Sequence, residues 1–316
     1  MSMVDFPFQK DTFKLIQLTD IHLVKIDGGG PEQQTLDMIE RMTAAEKPDL
    51  YVVTGDLSFS KENEQNFAYF CGFMDRLGTP WAFAFGNHDR SHGASVTAME
   101  ELMRKSATCV YCHGDEGVAG DGNYCVRLFD GEKLPWVLYM LDSHEDILLD
   151  GKSYYAHIEH SQIQWYRRTR DRLRAEFGAA SSLLFFHIPL HEHLDVWEEK
   201  RCFGEKNEAV CYSYLNSGLF CALQEDVSAK GVFVGHDHTN DYIGELYGVR
   251  LAYGRGTGFG GGGRGGYGKD GFLHGGRVIV LNRNQETPFE TYLWLEDGSV
   301  VTQQPPHDPE GRDGHA

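Results

Sequence analysis

The chain has 316 residues, 41% hydrophobic, 12% aromatic and 24% charged, a globular composition that excludes disorder, collagen and coiled coil and is long enough for a sizeable core. Aspartate and glutamate number 47 against 29 lysines and arginines, for a formal charge of −18; this argues against sequence-independent binding to nucleic acid or to an anionic membrane, since both need positive fields. An acidic chain can still build a local cationic site by holding metal ions in a carboxylate-rich pocket.

From the amino terminus, residues 1–11 lack the basic segment and apolar run of an export signal. The longest apolar runs, Trp136 to Leu141 and Leu183 to Phe186, are far below the roughly 20 residues of a membrane-spanning helix. A soluble, cytoplasmic protein is expected, and an odd count of seven cysteines fits reduced thiols better than a disulfide framework.

Apolar runs rich in β-formers then recur: Phe13 to Leu18, Leu50 to Val53, Trp81 to Phe85, Trp136 to Leu141, Leu183 to Phe186 and Gly231 to Val234. Near-continuous runs of this kind read as strands buried on both faces. Between the early ones lie helical patterns. Leu36, Ile39 and Met42 follow Pro31 and stop at Pro48, and Phe67, Phe70, Cys71, Met74 and Leu77 repeat on one face before Gly78. This alternation predicts parallel βαβ units with functional residues at the carboxyl ends of the strands.

Further along, Ser161 to Phe177 reads as a surface helix whose arginines, Arg167 to Arg174, alternate with acids on a solvated face. Arg250 to Tyr253, Gly276 to Leu281 and Glu290 to Leu295 are strand-like and antiparallel in flavour. The fold class predicted is α/β, two packed mixed sheets flanked by helices, as one domain over residues 1–302 with a polar tail at 303–316.

The strand ends carry the chemistry. The first closes in Asp20-Ile21-His22, where residues i and i+2 of an extended chain point the same way. The next close in Gly55-Asp56 and Gly86-Asn87-His88-Asp89, and the later ones in His187 and Gly235-His236-Asp237-His238. Turn chemistry explains an isolated Gly-Asp, but it gives no reason for imidazoles and carboxylates to repeat at five successive strand ends. Asp20, His22, Asp56, Asn87, His187, His236 and His238 suffice for two cations in one pocket.

In this order, these motifs resemble the signature of the calcineurin-like metallophosphoesterases over residues 20–238. Phe185 to Leu190, Asn216 to Phe220, Asn240-Asp241-Tyr242 and Tyr253 to Gly258 further resemble the purple-acid-phosphatase-like subgroup. The resemblance implies a four-layer αββα sandwich with a dinuclear site at the C-terminal strand ends. Asp20, His22 and His238 would hold one metal, Asn87, His187 and His236 the other, and Asp56 both. It also implies His88 as the catalytic group over the substrate, with Asp89 orienting its ring. Such ligands suit manganese, iron or zinc as two divalent ions. The reaction implied is phosphoric ester hydrolysis by a metal-bridging hydroxide attacking phosphorus in line. Monoesters are favoured over diesters such as cyclic nucleotides, with a noncatalytic metal-bound scaffold as a further alternative. Substrates would be a phosphorylated small molecule or a phosphoprotein.

One departure stands out: purple acid phosphatases place a tyrosine ligand three residues after the Gly-Asp aspartate, where this chain has Phe59. The expectation is a protein without tyrosinate-to-iron colour.

Other patterns are discounted. Gly256-x-Gly258-x-x-Gly261 lacks the following helix of a dinucleotide site, and Gly263 to Lys269 matches a phosphate loop only up to Asp270. The glycine-rich segment Gly254 to Gly276 is instead read as a loop near the site, with a substrate lid using Arg255 or Arg264 as the sharper reading. Cys109-Val110-Tyr111-Cys112-His113 resembles a haem attachment pattern but is read as packing thiols. His191 and Arg255 are carried as substrate-binding candidates, with His92 and His193 as neighbours of the motifs.

Overall fold

The structure is a computed structural model that describes residues 2–26, 29–260, 268–283 and 289–309. Among these residues the strands form a six-stranded sheet, a nine-stranded sheet and a small hairpin. In the first sheet, β2 (Thr12–Leu18), β3 (Leu50–Thr54) and β4 (Trp81–Ala84) run parallel, while β14 (Gly275–Asn282), β15 (Phe289–Leu295) and β16 (Val300–Val301) extend it antiparallel. The second sheet has at its centre β6 (Lys133–Met140), β9 (Ser181–Phe185), β11 (Ala229–Val234) and β13 (Val249–Tyr253), all parallel. On one side of them lie β5 (Tyr124–Asp130) and β1 (Met3–Pro7); on the other lie β12 (Ile243–Leu246), β10 (Cys202–Phe203) and β17 (Pro306–His307). The hairpin pairs β7 (Asp146–Leu149) with β8 (Lys152–Tyr155).

The strand pleat sorts side chains into three cores, because successive residues point to opposite faces. Leu15, Leu50, Val52, Trp136, Leu138, Leu183, Phe185 and Phe233 meet between the sheets. Their neighbours Ile16, Leu18, Tyr51 and Val53 turn outward onto α1 (Gly30–Glu46), α2 (Asn63–Leu77) and α3 (Val96–Lys105). Val137, Tyr139, Leu184 and Val232 turn onto α4 (His160–Phe177), α5 (His191–Glu199) and α6 (Leu219–Leu223). The result is the four-layer αββα sandwich. Each Leu or Phe so buried contributes about 1.5–3 kcal/mol. Pro31 sits in the first turn of α1, where its missing N–H costs nothing, and Gly78 closes α2 with a left-handed φ of 71°.

The tail boundary is corrected. Residues 303–309 belong to the fold: β17 pairs with β10, His307 stacks on Trp197 at 3.6 Å, and Gln304 Oε1 accepts from the buried Arg277. A short edge strand of two residues leaves no periodicity to read. All seven cysteines are free thiols, and no helix among the described residues is long and apolar enough to cross a membrane.

Candidate metal centre

The carboxyl ends of β2, β3, β4, β9 and β11 meet at one rim where the two sheets join. Gln17 in β2 spans the gap, donating to Thr54 Oγ1 at 2.9 Å and to the Val234 carbonyl at 3.0 Å. Past it, the site residues leave the strand conformation altogether: φ is 54° at Asp20, 49° at His22, 52° at Asp56 and 78° at His236. Left-handed backbone is uncommon outside glycine, persists only where the surroundings enforce it, and clusters at functional sites. Asp20 and His22 therefore converge through these kinks and not through the i, i+2 pleat of an extended strand.

Hydrogen bonds enforce the kinks. His22 N–H donates to Asp56 O at 2.9 Å, Asp20 N–H to Gly55 O at 3.2 Å, and His236 N–H to the Asp20 carboxylate at 3.1 Å. The second sheet's glycine-rich segment adds a brace, with Thr257 N–H on Thr19 O at 2.9 Å and Gly258 N–H on Asp20 O at 3.1 Å. A Cβ on Gly258 would collide with the Ile21 carbonyl, and one on Gly86 with the carboxylate and backbone nitrogen of Asp56. Glycine is required at both positions by close backbone approach.

Two donor sets result, each with atoms within 4.8 Å of one another: Asp20, His22, Asp56 and His238, and Asp56, His187 and His236. They share Asp56. Its Oδ2 lies 3.1 Å from His187 Nε2 and 3.6 Å from His22 Nε2, while its Oδ1 accepts the His88 backbone N–H at 2.8 Å. His187 Nδ1–H donates to the Thr54 carbonyl at 2.8 Å, which fixes the tautomer and turns Nε2 toward the carboxylates. The Nε2 atoms of His22 and His238 are 3.1 Å apart, a separation that two lone pairs tolerate only with a proton or a cation between them.

Burial raises the Asp20 carboxyl, but the His22 hydrogen bond and the His238 and His187 charges outweigh it and draw the group down to about 2. Asp56 is likewise raised by burial and pulled well below the carboxylate range by His187. Burial lowers His187, yet Asp56 raises it to about 10, whereas burial holds His236 near 3 and His238 near 4. Two buried carboxylates held ionised thus face imidazoles of which His236 and His238 are held neutral, an arrangement that favours added positive charge. Asn87 Oδ1 and His236 Nε2 are buried with no hydrogen-bond partner. Unmet acceptors beside ionised carboxylates fit divalent ions bound by oxygen and nitrogen.

His88 is half-buried, its imidazole lowered by burial, and its ring rests 4.0 Å from that of Phe59. Asp89 is corrected. Its carboxylate does not hold the His88 ring; it is fully buried and accepts backbone N–H groups from Gly86 at 2.8 Å, Asp56 at 3.0 Å and Ser58 at 3.2 Å. Burial, with Asp56 nearby, pushes it up to about 7. Asp237 faces away from the donors, accepting from Tyr253 Oη at 2.6 Å.

Of the substrate-binding candidates, Arg255 is corrected. Arg255 is 4% exposed, paired with Asp241, donating Nε–H to Leu273 O at 2.6 Å and stacked over Phe272. Its guanidinium is consumed inside the fold. His191 begins α5 and donates Nε2–H to Ser213 O at 2.6 Å, and His193 is buried in the same helix. Residues 254–258 act as the brace described above, which removes the lid reading for that stretch; Gly261 to Gly266, with Arg264 and most of the phosphate-loop pattern, lie outside the described residues. Sequence reasoning missed Tyr155, whose ring stands perpendicular to His236 at 4.4 Å; it lies in the β7–β8 hairpin, which carries no motif. It also missed Asp142, which anchors Arg90 beside the His88 turn at 2.6 Å.

The sequence profile of the calcineurin-like phosphoesterases matches residues 13–240. The chain is 32% identical over 309 residues to an Arabidopsis thaliana protein named probable inactive purple acid phosphatase 29, covering 87% of this chain and 78% of that one. It is 30% identical over 261 residues to the Saccharomyces cerevisiae phosphatase DCR2, covering 73% and 44%. Among solved structures, a dimetal phosphatase from Danio rerio superimposes with a TM-score of 0.61 at 14% identity, covering 92% and 99% of the two chains. A purple acid phosphatase from yellow lupin seeds gives 0.53 at 13%, covering 95% and 54%.

Proposed function

The chain belongs to the calcineurin-like phosphoesterases, and on that premise we propose that it is a metal-dependent phosphoric ester hydrolase, acting on phosphomonoesters of a small molecule or a phosphoprotein. The carrying observation is the pair of donor sets that share the Asp56 carboxylate at the rim. Asp20, His22 and His238 would hold one divalent ion, Asn87, His187 and His236 the second, and Asp56 both. Manganese, iron and zinc suit this mixture of carboxylate, amide and imidazole. Bound there, two such ions supply charge neutralisation for phosphoryl oxygens and acidify water for attack at neutral pH.

The rest is the work of the chain's own side chains. Thr54 O keeps the His187 proton on Nδ1, so that Nε2 stays a ligand. The His88 backbone N–H holds Asp56 Oδ1, and the His88 imidazole delivers a proton to the departing alcohol oxygen. Asp89 keeps the Asp56 and Gly86 loops in register through their backbone amides. With Phe59 at the position of the subgroup's tyrosine, an iron-loaded preparation should carry no tyrosinate colour; an intense visible band abolished by Phe59→Leu would contradict this ligand set.

The name of the Arabidopsis relative supports a second reading, a metal-bound protein without turnover. Manganese-reconstituted protein assayed on p-nitrophenyl phosphate and bis-p-nitrophenyl phosphate, with Asp56→Asn in parallel, separates the readings. Monoester turnover lost in Asp56→Asn is expected. Preferential diester turnover would move the substrate to phosphodiesters, and inertness toward both with two ions bound would favour the noncatalytic reading.

A further inference from the structure

Phe59 follows the loop that carries Asp56, yet none of the hydrogen-bonding logic above accounts for its ring. That ring is half-buried at the rim. Its centroid lies 4.0 Å from that of His88, tilted by 36°, and 5.6 Å from that of His92, nearly parallel at 18°. The backbone on both sides is locked to the His88 turn by one buried side chain. Asn63, 1% exposed, accepts from Ser58 Oγ and from Ser60 N–H, each at 2.7 Å, and donates to the carbonyls of His88 at 3.2 Å and Asp89 at 2.9 Å. Phe59 N–H is tied in turn to Leu23 O at 3.2 Å, next to His22. The distance between the two rings is therefore set by the scaffold, and neither backbone can drift from the other.

We infer that Phe59 is a positioning residue, an aromatic platform that limits the His88 side chain to the rotamer from which it reaches the leaving-group oxygen. A histidine at the rim is free to swing about two side-chain torsions, and a proton donor works only within about 2.6–3.2 Å of its acceptor. A flat ring in face contact removes most of that freedom, while the site on the far side stays open to the ester. The inference rests on the phosphoesterase reading and concerns the departure of the alcohol, not the binding of ions.

The test compares zinc-loaded wild type, Phe59→Leu, which keeps apolar bulk without a ring, and Phe59→Tyr, which keeps the ring. Two readouts are taken beside zinc stoichiometry. The first is the histidine carbon–proton NMR spectrum, with His88 signals identified by His88→Asn: the ring-current displacement of His88 should vanish in Phe59→Leu and return in Phe59→Tyr. The second is turnover of phenyl phosphate, whose leaving group needs a proton, against p-nitrophenyl phosphate, whose leaving group does not. Phe59→Leu should lose at least about tenfold more kcat on the former, as expected for a misplaced catalytic group, with Phe59→Tyr restoring the ratio and zinc content equal in all three. Unchanged His88 signals, or equal losses on both esters, would overturn the inference. Wild-type inertness toward both esters with zinc bound would instead overturn the parent reading, and it would be seen before any variant is made.

Discussion

Among the described residues two regions pass the same first test for a metal site, and they behave oppositely. At the rim, Asp20, His22, Asp56 and His238 bring donor atoms within 4.8 Å; beside α3, Glu100, His113 and Asp121 do the same. In the second cluster the groups satisfy one another. Glu100 Oε1 accepts from Tyr111 Oη at 2.5 Å and from His113 Nδ1–H at 2.7 Å, and Asp121 accepts from Arg90 at 3.2 Å. The His113 side chain is 67% exposed. At the rim, by contrast, Asn87 Oδ1 and His236 Nε2 are buried without partners and four residues are bent into left-handed backbone. What separates an ion site from a salt bridge is unmet bonding capacity held in place by enforced strain, not residue type.

The sharpest way to break this contrast is to disturb the rim without touching a ligand. Gly86→Ala drives a methyl group into Asp56, and the affinity for the ion pair should fall by more than about 100-fold, the upper range seen when groups that merely orient ligands are changed; titration calorimetry with manganese checks it, and retained affinity would mean that the Asp56 loop yields freely. Next in size, Asp89→Ala removes the acceptor of three backbone N–H groups. It should cost about 3 kcal/mol in urea unfolding of ion-free protein, where loss of metal cannot account for the change.

On the other side of the contrast, the double variant Glu100→Gln, His113→Gln should hold as many ions per chain as wild type by elemental analysis. Loss of one would make the α3 cluster a metal site. The smallest effect is a pH dependence. The Glu100 hydrogen bond raises His113, with Asp121 adding to it and Arg104 opposing. A group raised in the folded state stabilises fully below its unfolded value near 6.5 and loses that contribution as pH rises through the folded value. The stability difference between wild type and His113→Gln should therefore shrink as pH climbs above about 6.5, from a ceiling below about 1 kcal/mol because the His113 side is exposed to solvent; a difference that grew would reverse the assigned sign.

The central strands were legible because burial on both faces writes unbroken apolar runs, as in Leu183 to Phe185, and because the candidate metal donors sit where those runs stop. The converging ends of β2, β3, β4, β9 and β11 followed from that. The edge strands β1 and β17 and the two-residue β10 beside β17 were not legible, since a strand of two to five residues at or next to a sheet margin carries no periodicity of its own. The left-handed turns at Asp20 and Asp56 escaped for another reason: Asp20 is held by Gly55 O and Gly258 N–H and Asp56 O by His22 N–H, and local sequence does not report hydrogen bonds from partners between 34 and 238 positions away along the chain. Arg255 misled because a cation near a phosphate site invites a binding role, whereas Asp241 lay 14 positions upstream to consume it.

The order of strands in the first sheet has a consequence for how the chain comes to exist. β2 is flanked by β3 on one side and by β14 on the other, so its second edge stays bare until residues 275–282 have left the ribosome. Contacts this distant along the chain form slowly, and an uncovered edge strand templates association with other chains. A nascent chain carries Asp20 and His22, just past β2, long before His236 and His238, just past β11, and the closing β14 arrive. Cations that bind only the completed rim would stabilise finished molecules over partial ones, making ion uptake a late checkpoint of synthesis.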